Sequence, residues 1–241
     1  MKRFILKVAC FFAIVVAIDI IAGMAFPYLV ANAKGGDNGR NNYICLKTNE
    51  DILIFGSSRA IHHYHPTIIS DSTGMTCYNC GQDGNGVILN YGRLLMIENR
   101  YKPKMIIYDI QNSYDLTAGE ENHKYLAWLK AYYDHDGVED VFVSVDSVER
   151  YKMMSNLYRY NSKCVQIVSD YIHPLQSLGI NGFRPLTGEM DNMKINKNVN
   201  KDRVSPEWDN LKIDYIKRFI DLTKDSKLVF VFSPIWYGMD E

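Results

Sequence analysis

The chain has 241 residues, enough for one domain of ordinary size with an appendage but not for two full domains. A composition of 47% hydrophobic and 23% charged residues excludes a disordered or low-complexity protein. With 27 basic against 28 acidic side chains, the global positive charge of a nucleic-acid binder is absent. The charge is unevenly placed, because residues 1–47 carry six basic and two acidic side chains and the body that follows is mildly acidic.

The first element predicted is a membrane anchor. From Val8 to Val30 the only charged residue is Asp19. These residues make a helix roughly 34 Å long, enough to cross a hydrocarbon core of about 30 Å. Lys2, Arg3 and Lys7 precede the run, so the positive-inside rule places the N-terminus in the cytoplasm. The expected topology is therefore a single pass through the cytoplasmic membrane with the body on the extracytoplasmic side. The small-residue pattern Ala31-Asn32-Ala33 keeps a cleaved signal peptide open as the alternative. Asp19 falls near mid-membrane, where an acid costs about 2.5–3.5 kcal/mol on insertion scales. It marks a helix contact within the membrane or is a tolerated polar residue in a tilted span.

Residues 1–31 thus form the cytoplasmic tip and anchor. Residues 32–50, with Gly35, Gly36, Asp37, Asn38 and Gly39, read as a flexible polar linker, and 51–241 as the folded body. Cys77 and Cys80 form a C-x-x-C with no second pair and no His at ligand spacing, which argues against zinc. A disulfide or two buried thiols both remain open.

Within the body, Asp51–Phe55 is a short apolar run ending at Gly56, as expected of a buried strand entering a turn. Met75–Asn79 is a second strand, leading into a loop with Gly81, Gly84 and Gly86. Residues 87–100 have helical apolar spacing, and Lys104–Ile110 is the clearest central strand. Helical patterns follow around 121–134, 145–160 and 207–224, and Lys227–Phe232 is a last strand before Ser233-Pro234. The stretch 161–206 is irregular and reads as an insertion or loop system over the site. Apolar strands alternating with helices predict an α/β fold with a mainly parallel sheet. Function in such sheets lies in the loops at the carboxyl ends of the strands.

Three of those loops hold the candidate chemistry. After the first strand comes Gly56-Ser57-Ser58-Arg59-Ala60. A serine at a tight turn that opens a helix suits a nucleophile, because nearby backbone N–H groups can face a developing oxyanion; a helix N-cap fits the same pattern. Arg59 binds an anionic substrate group or pairs with an acidic loop residue to hold the turn. His62, one helical turn beyond Ser58, is expected to shape a substrate pocket. His62, His63 and His65 lack an acidic or cysteine partner at ligand spacing, so no metal is expected, and nothing points to a cofactor. The aromatic residues at 128–160 are expected to pack in the core or to stack on sugars.

The second loop, Asn79 to Gly86, and the third, Asp109 to Ser113, complete a pattern that resembles the SGNH, or GDSL-like, hydrolase superfamily. Gly56-Ser57-Ser58 is similar to the family's first block, with Ser57 where the GDS form has Asp. Asn79 and Gly84 match the second, and Asn112 matches the third, which lacks the family's Gly and Asp. The resemblance covers residues 51–115 and extends beyond them only through strand–helix order. It implies a three-layer α/β/α sandwich of flavodoxin-like form and a membrane-tethered serine esterase or O-acyltransferase. Ser58 would be the nucleophile, Gly84 and Asn112 the oxyanion hole, and an acyl ester or glycan of the envelope the substrate. The family's Asp-x-x-His would follow the last strand, so the resemblance implies a chain cut short before it. Asp170-Tyr171-Ile172-His173 is one such pattern ahead of that strand, which makes Asp170 and His173 dyad candidates. A non-catalytic envelope or glycan-binding protein on the same fold is the alternative.

Overall fold

The computed structural model describes residues 1–119, 121–173, 179–187 and 207–233. In chain order its elements begin with α1 (Lys2–Ala31), α2 (Gly36–Leu46), β1 (Ile52–Gly56), α3 (Ser58–His63) and α4 (Pro66–Thr73). They continue with β2 (Cys77–Asn79), α5 (Val87–Glu98), β3 (Met105–Asp109) and α6 (Asn112–Asp115). Two 3-10 turns at 122–126 and 130–132 precede α7 (Val138–Val145), α8 (Glu149–Lys152), α9 (Asn156–Tyr160) and α10 (Cys164–Ile172). Then come α11 (Asn210–Leu222) and β4 (Lys227–Val231). The chain divides into two units, one built from residues 1–43 and 126–173, the other from 44–125, 179–187 and 207–233.

The second unit is α/β, with a four-stranded, all-parallel sheet in the order β2-β1-β3-β4 among the described residues. Every residue of β1 is buried, as its unbroken apolar run requires. Ile52 and Ile54 pack with Ala60 of α3, Cys77 and the partly buried Ile69 of α4. Phe55 meets the edge of Phe219 from α11 at 5.6 Å, and Tyr108 of β3 meets the same ring at 5.0 Å. Cys77 and Cys80 are buried and not joined in a disulfide, and burial pushes the Cys77 thiol up to about 12.

In the first unit, α1 is long and apolar enough to cross a membrane. The linker expected over 32–50 is instead largely the helix α2. Its asparagines Asn38, Asn41 and Asn42 are buried and hydrogen-bonded. Asp170 accepts from the Asn38 backbone and side-chain amides at 3.0 and 2.7 Å. Asn41 donates to the Trp128 carbonyl at 2.9 Å, and Asn42 accepts from the Tyr132 hydroxyl at 2.6 Å. The division between the two units falls between Tyr43 and Ile44, inside this helix.

The helical pattern around 121–134 becomes two 3-10 turns, which still bury Tyr125, Leu126, Leu129 and Tyr132 at spacings of one, three and three. The pattern around 145–160 breaks into α8 and α9 because Ser155 restarts the helix, its hydroxyl accepting from the Tyr158 N–H at 3.3 Å. Residues 164–172 of the supposed irregular stretch are the helix α10.

Gly56 closes β1 at φ +140°, and a Cβ there would lie 2.7 Å from the Asp109 carbonyl oxygen. Both the dihedral and the contact demand glycine. Gly56→Ala is expected to cost about 2–3 kcal/mol of stability, seen as a lower urea midpoint at unchanged slope.

Candidate functional site

The carboxyl ends of β1, β2 and β3 lie side by side, with Ile54 paired to Asn79 and Gly56 to Asp109. Ser58, Gly84 and Asn112 each follow one of these three strands, so parallel pairing brings their loops to one edge of the sheet. Three side-by-side contacts stitch the loops. The Gln82 N–H donates to the Gly56 carbonyl at 3.1 Å. His62 Nε2 lies 2.8 Å from an Asp83 carboxylate oxygen, next to Gly84. The Ser57 hydroxyl donates to the Gln111 side-chain carbonyl, next to Asn112.

The two serines have different duties. Ser57 is the N-cap residue of α3, but its buried hydroxyl reaches Gln111 instead of a helix N–H. Ser58 is the first helical residue and half-buried, and no hydrogen bond engages its hydroxyl among the described residues. The N-cap reading thus falls on Ser57. Asn112 opens α6 and is exposed; its carbonyl accepts from the Leu116 and Thr117 N–H groups, while its side-chain amide is unengaged among the described residues. Gly84 sits at φ +63°, a left-handed turn position suited to glycine.

Arg59 holds the turn. Its Nε donates to Asp109 Oδ1 at 3.1 Å and a terminal nitrogen donates to the Ile110 carbonyl at 2.5 Å. Of the two readings of Arg59, the pairing with an acidic loop residue has its partner in Asp109. Asp109 is fully buried, and its second oxygen accepts from the Tyr64 hydroxyl at 2.6 Å and from Ser233. Burial, reinforced by the Asp109 carboxylate, pushes the Tyr64 phenol up to about 12. His62 is likewise committed on both sides, with Nδ1 2.6 Å from the Arg184 carbonyl and Nε2 against Asp83. Both ring nitrogens are thus directed at groups of the scaffold, the Arg184 carbonyl and the Asp83 carboxylate.

Below these residues lies a set of buried polar side chains, of which the sequence reading singled out only Asn79. Asn79 donates to the Ala60 and Tyr64 carbonyls at 2.6 and 2.9 Å and accepts from the Gly81 N–H. Arg93, fully buried on α5, donates to the Cys80 carbonyl and the Gln82 side chain, both at 3.0 Å. Asp115 accepts from the Tyr108 hydroxyl at 2.7 Å and the Gln111 N–H at 2.8 Å. The signal available in the sequence was a charged or amide residue at the end of, or facing, an apolar strand, since such a group must find a partner. Residues 179–184 add to the same side: the Asn79 N–H donates to the Asn181 carbonyl at 2.9 Å, and the Arg184 N–H to the Ile61 carbonyl at 3.0 Å.

Asp170 and His173 belong to the other unit. The Asp170 carboxylate is spent on α2, and His173 is the exposed residue that ends α10. No hydrogen bond links the two side chains among the described residues. Comparison with protein-family models, with curated proteins and with solved structures finds no match for this chain.

Burial pushes the Asp115 carboxyl up to about 7 despite the donors around it and the Lys212 charge. The folded chain therefore holds a proton that the unfolded chain releases near pH 4, and stability from this group falls as pH rises from about 4 to about 7. Relative to Asp115→Asn, wild type is expected to lose about 2–4 kcal/mol across that window and nothing further above it, measured by urea unfolding at stepped pH.

Proposed function

We propose that this chain is a serine esterase or O-acyltransferase of the SGNH type. One observation carries the reading. At the sheet edge the flanking side chains Ser57, Arg59, Asp109 and Gln111 are all committed to one another, whereas the Ser58 hydroxyl and the Asn112 amide are not. A scaffold that spends its polar groups on holding a turn, and leaves one hydroxyl and one amide unspent, is suited to present them to a ligand.

In this reading Ser58 attacks an ester carbonyl. The backbone N–H groups of Ser58 and Gly84, with the Asn112 amide, receive the negative charge that develops on the carbonyl oxygen. Each well-placed donor is worth about 100–1000 in rate. The Ser58 proton passes to a general base that then protonates the leaving alcohol. In the structure His62 faces the Arg184 carbonyl and Asp83, and Asp170 accepts from Asn38 of α2. The same reading sets the parallel sheet within a three-layer α/β/α sandwich. The charge pattern before α1 supports a place on the extracytoplasmic face of the cytoplasmic membrane, where acyl esters of envelope glycans are the substrate class.

The commitment of His62 also favours a second reading, in which the fold binds a glycan without turning it over. A fluorophosphonate probe separates the two. Applied to the protein, it is expected to label wild type and not Ser58→Ala. The substitution is also expected to reduce hydrolysis of 4-nitrophenyl acetate by at least about 1000-fold. Labelling or hydrolysis unchanged in Ser58→Ala would overturn the esterase reading, and glycan retention with no labelling would establish the binding module.

A further inference from the structure

On α1, six residues from Asp19 onward are screened from solvent: Asp19, Ala22, Gly23, Phe26, Leu29 and Val30. Their spacing of mostly three and four draws one stripe along the helix. The cover comes from α9 and α10 of the same unit. Phe26 stacks on Tyr160 with ring centroids 5.3 Å apart, and Val30 packs with Tyr160 and Ile167. Asn156 fills the notch at Gly23, where a Cβ would meet its side chain at 2.5 Å.

That stripe conflicts with a simple leash. Between Lys7 and Asp19 the uncovered apolar part of α1 is Val8–Ile18, eleven residues, all exposed. At about 1.5 Å per residue it spans roughly 16 Å, about half of a 30 Å hydrocarbon core. If α1 crosses a membrane, its covered half must lie in the bilayer too, and α9 and α10 go down with it.

Asp19 is built for that depth. Its Oδ1 accepts from the Leu157 N–H at 2.8 Å and the Ser155 hydroxyl at 2.7 Å, and its Oδ2 from the Asn156 amide at 3.1 Å. The acid that the anchor carries at a cost caps the start of α9, and in return the orphan N–H groups there are satisfied where water is scarce. The outer surface fits the same depth. Val165, Val168 and Ile172 lie at spacings of three and four on α10 and are exposed, opposite the buried Ile167 and Asp170. Tyr171, on the flank between, meets Tyr28 of α1 at 6.1 Å, so the bare apolar face of α10 continues the bare face of α1 that carries Ile20, Ile21 and Met24.

We infer that α10 is an interfacial membrane helix, with the lipid bilayer crossed by α1 as the occupant of the Val165–Val168–Ile172 face, and that Asp19 positions it by capping α9. The inference rests on α1 and its partners and is independent of any chemistry at Ser58. Lipid, not protein, follows from continuity: the face extends the surface of a helix that is itself apolar all round from Val8 to Ile18.

Site-directed nitroxide labelling of the full chain tests this in vesicles of phosphatidylcholine and phosphatidylglycerol. In a Cys10→Ala, Cys164→Ala background the remaining cysteines are buried, and Val165→Cys, Val168→Cys and Ile172→Cys each alter an exposed side chain. Labels at the three sites are expected to relax more with oxygen than with a water-soluble nickel chelate. A label at Asp140→Cys, on the exposed start of α7, is expected to show the reverse. Nickel-dominated relaxation at the α10 sites would overturn the inference, as would labels shielded from both reagents, which would mean a protein partner. Adding Asp19→Leu is expected to leave α1 inserted but to shift the α10 labels toward the nickel-dominated ratio. Asp19→Asn, which keeps an acceptor for Leu157, is expected to preserve the oxygen preference. Unaltered ratios in Asp19→Leu would remove Asp19 from the positioning role.

Discussion

Asp109 ends the strand β3 with a carboxylate that is wholly buried, and a charge in that position is costly unless its oxygens are met. They are met from three directions: by Arg59 of α3, by the Tyr64 hydroxyl just beyond α3, and by Ser233 after β4. One anion thus ties the ends of β1, β3 and β4 together. Ser58 stands next to Arg59, so the turn that aims its hydroxyl is fixed by a bond made one residue away. Removing Arg59 would leave the buried carboxylate without its counter-charge, and removing Tyr64 or Ser233 would take away a donor, which is why the turn and the sheet edge hold as a unit.

The rest of the second unit repeats the device with other buried polar side chains. Asn79 bridges the end of β2 to the end of α3, Arg93 braces the following loop from beneath, and Asp115 pins the loop after β3. Loops at a strand edge are ordinarily the least constrained parts of an α/β protein. Here each is held by a buried side chain whose alternative is an unsatisfied polar group, so the loop geometry is costly to change.

Carboxylates organise the first unit as well. Asp170 caps α2 from α10, and Asp19 caps α9 from α1. In both cases the acid and the helix it caps are far apart in the chain, so the cap doubles as a long-range clasp. That arrangement explains an ordered α2 across a Gly- and Asn-rich segment. Gly36 adopts φ +59° directly beside the Asp170 carboxylate, where no side chain fits, and the asparagines supply donors to buried carbonyls and carboxylates.

Strand positions were legible from the chain because Ile52 to Phe55 and Met105 to Asp109 are short apolar runs bounded by turns, and burial on both faces leaves such runs few other solutions. The long apolar helix was equally plain, since length and hydropathy alone define it. Also readable were the three loops that carry Ser58, Gly84 and Asn112, because parallel strands separated by crossovers present their carboxyl ends on one side. Tertiary structure alone decided which polar residues are spent and which are left. The sequence shows Ser57 beside Ser58, Arg59 with two possible duties, and an Asp-x-x-His at 170–173, but hydrogen-bond partners 50 or 130 residues away set their roles. Local pattern encodes burial and periodicity, which depend on near neighbours; the fate of a polar side chain depends on which distant acceptor the fold brings within 3 Å, and that is a property of the folded chain.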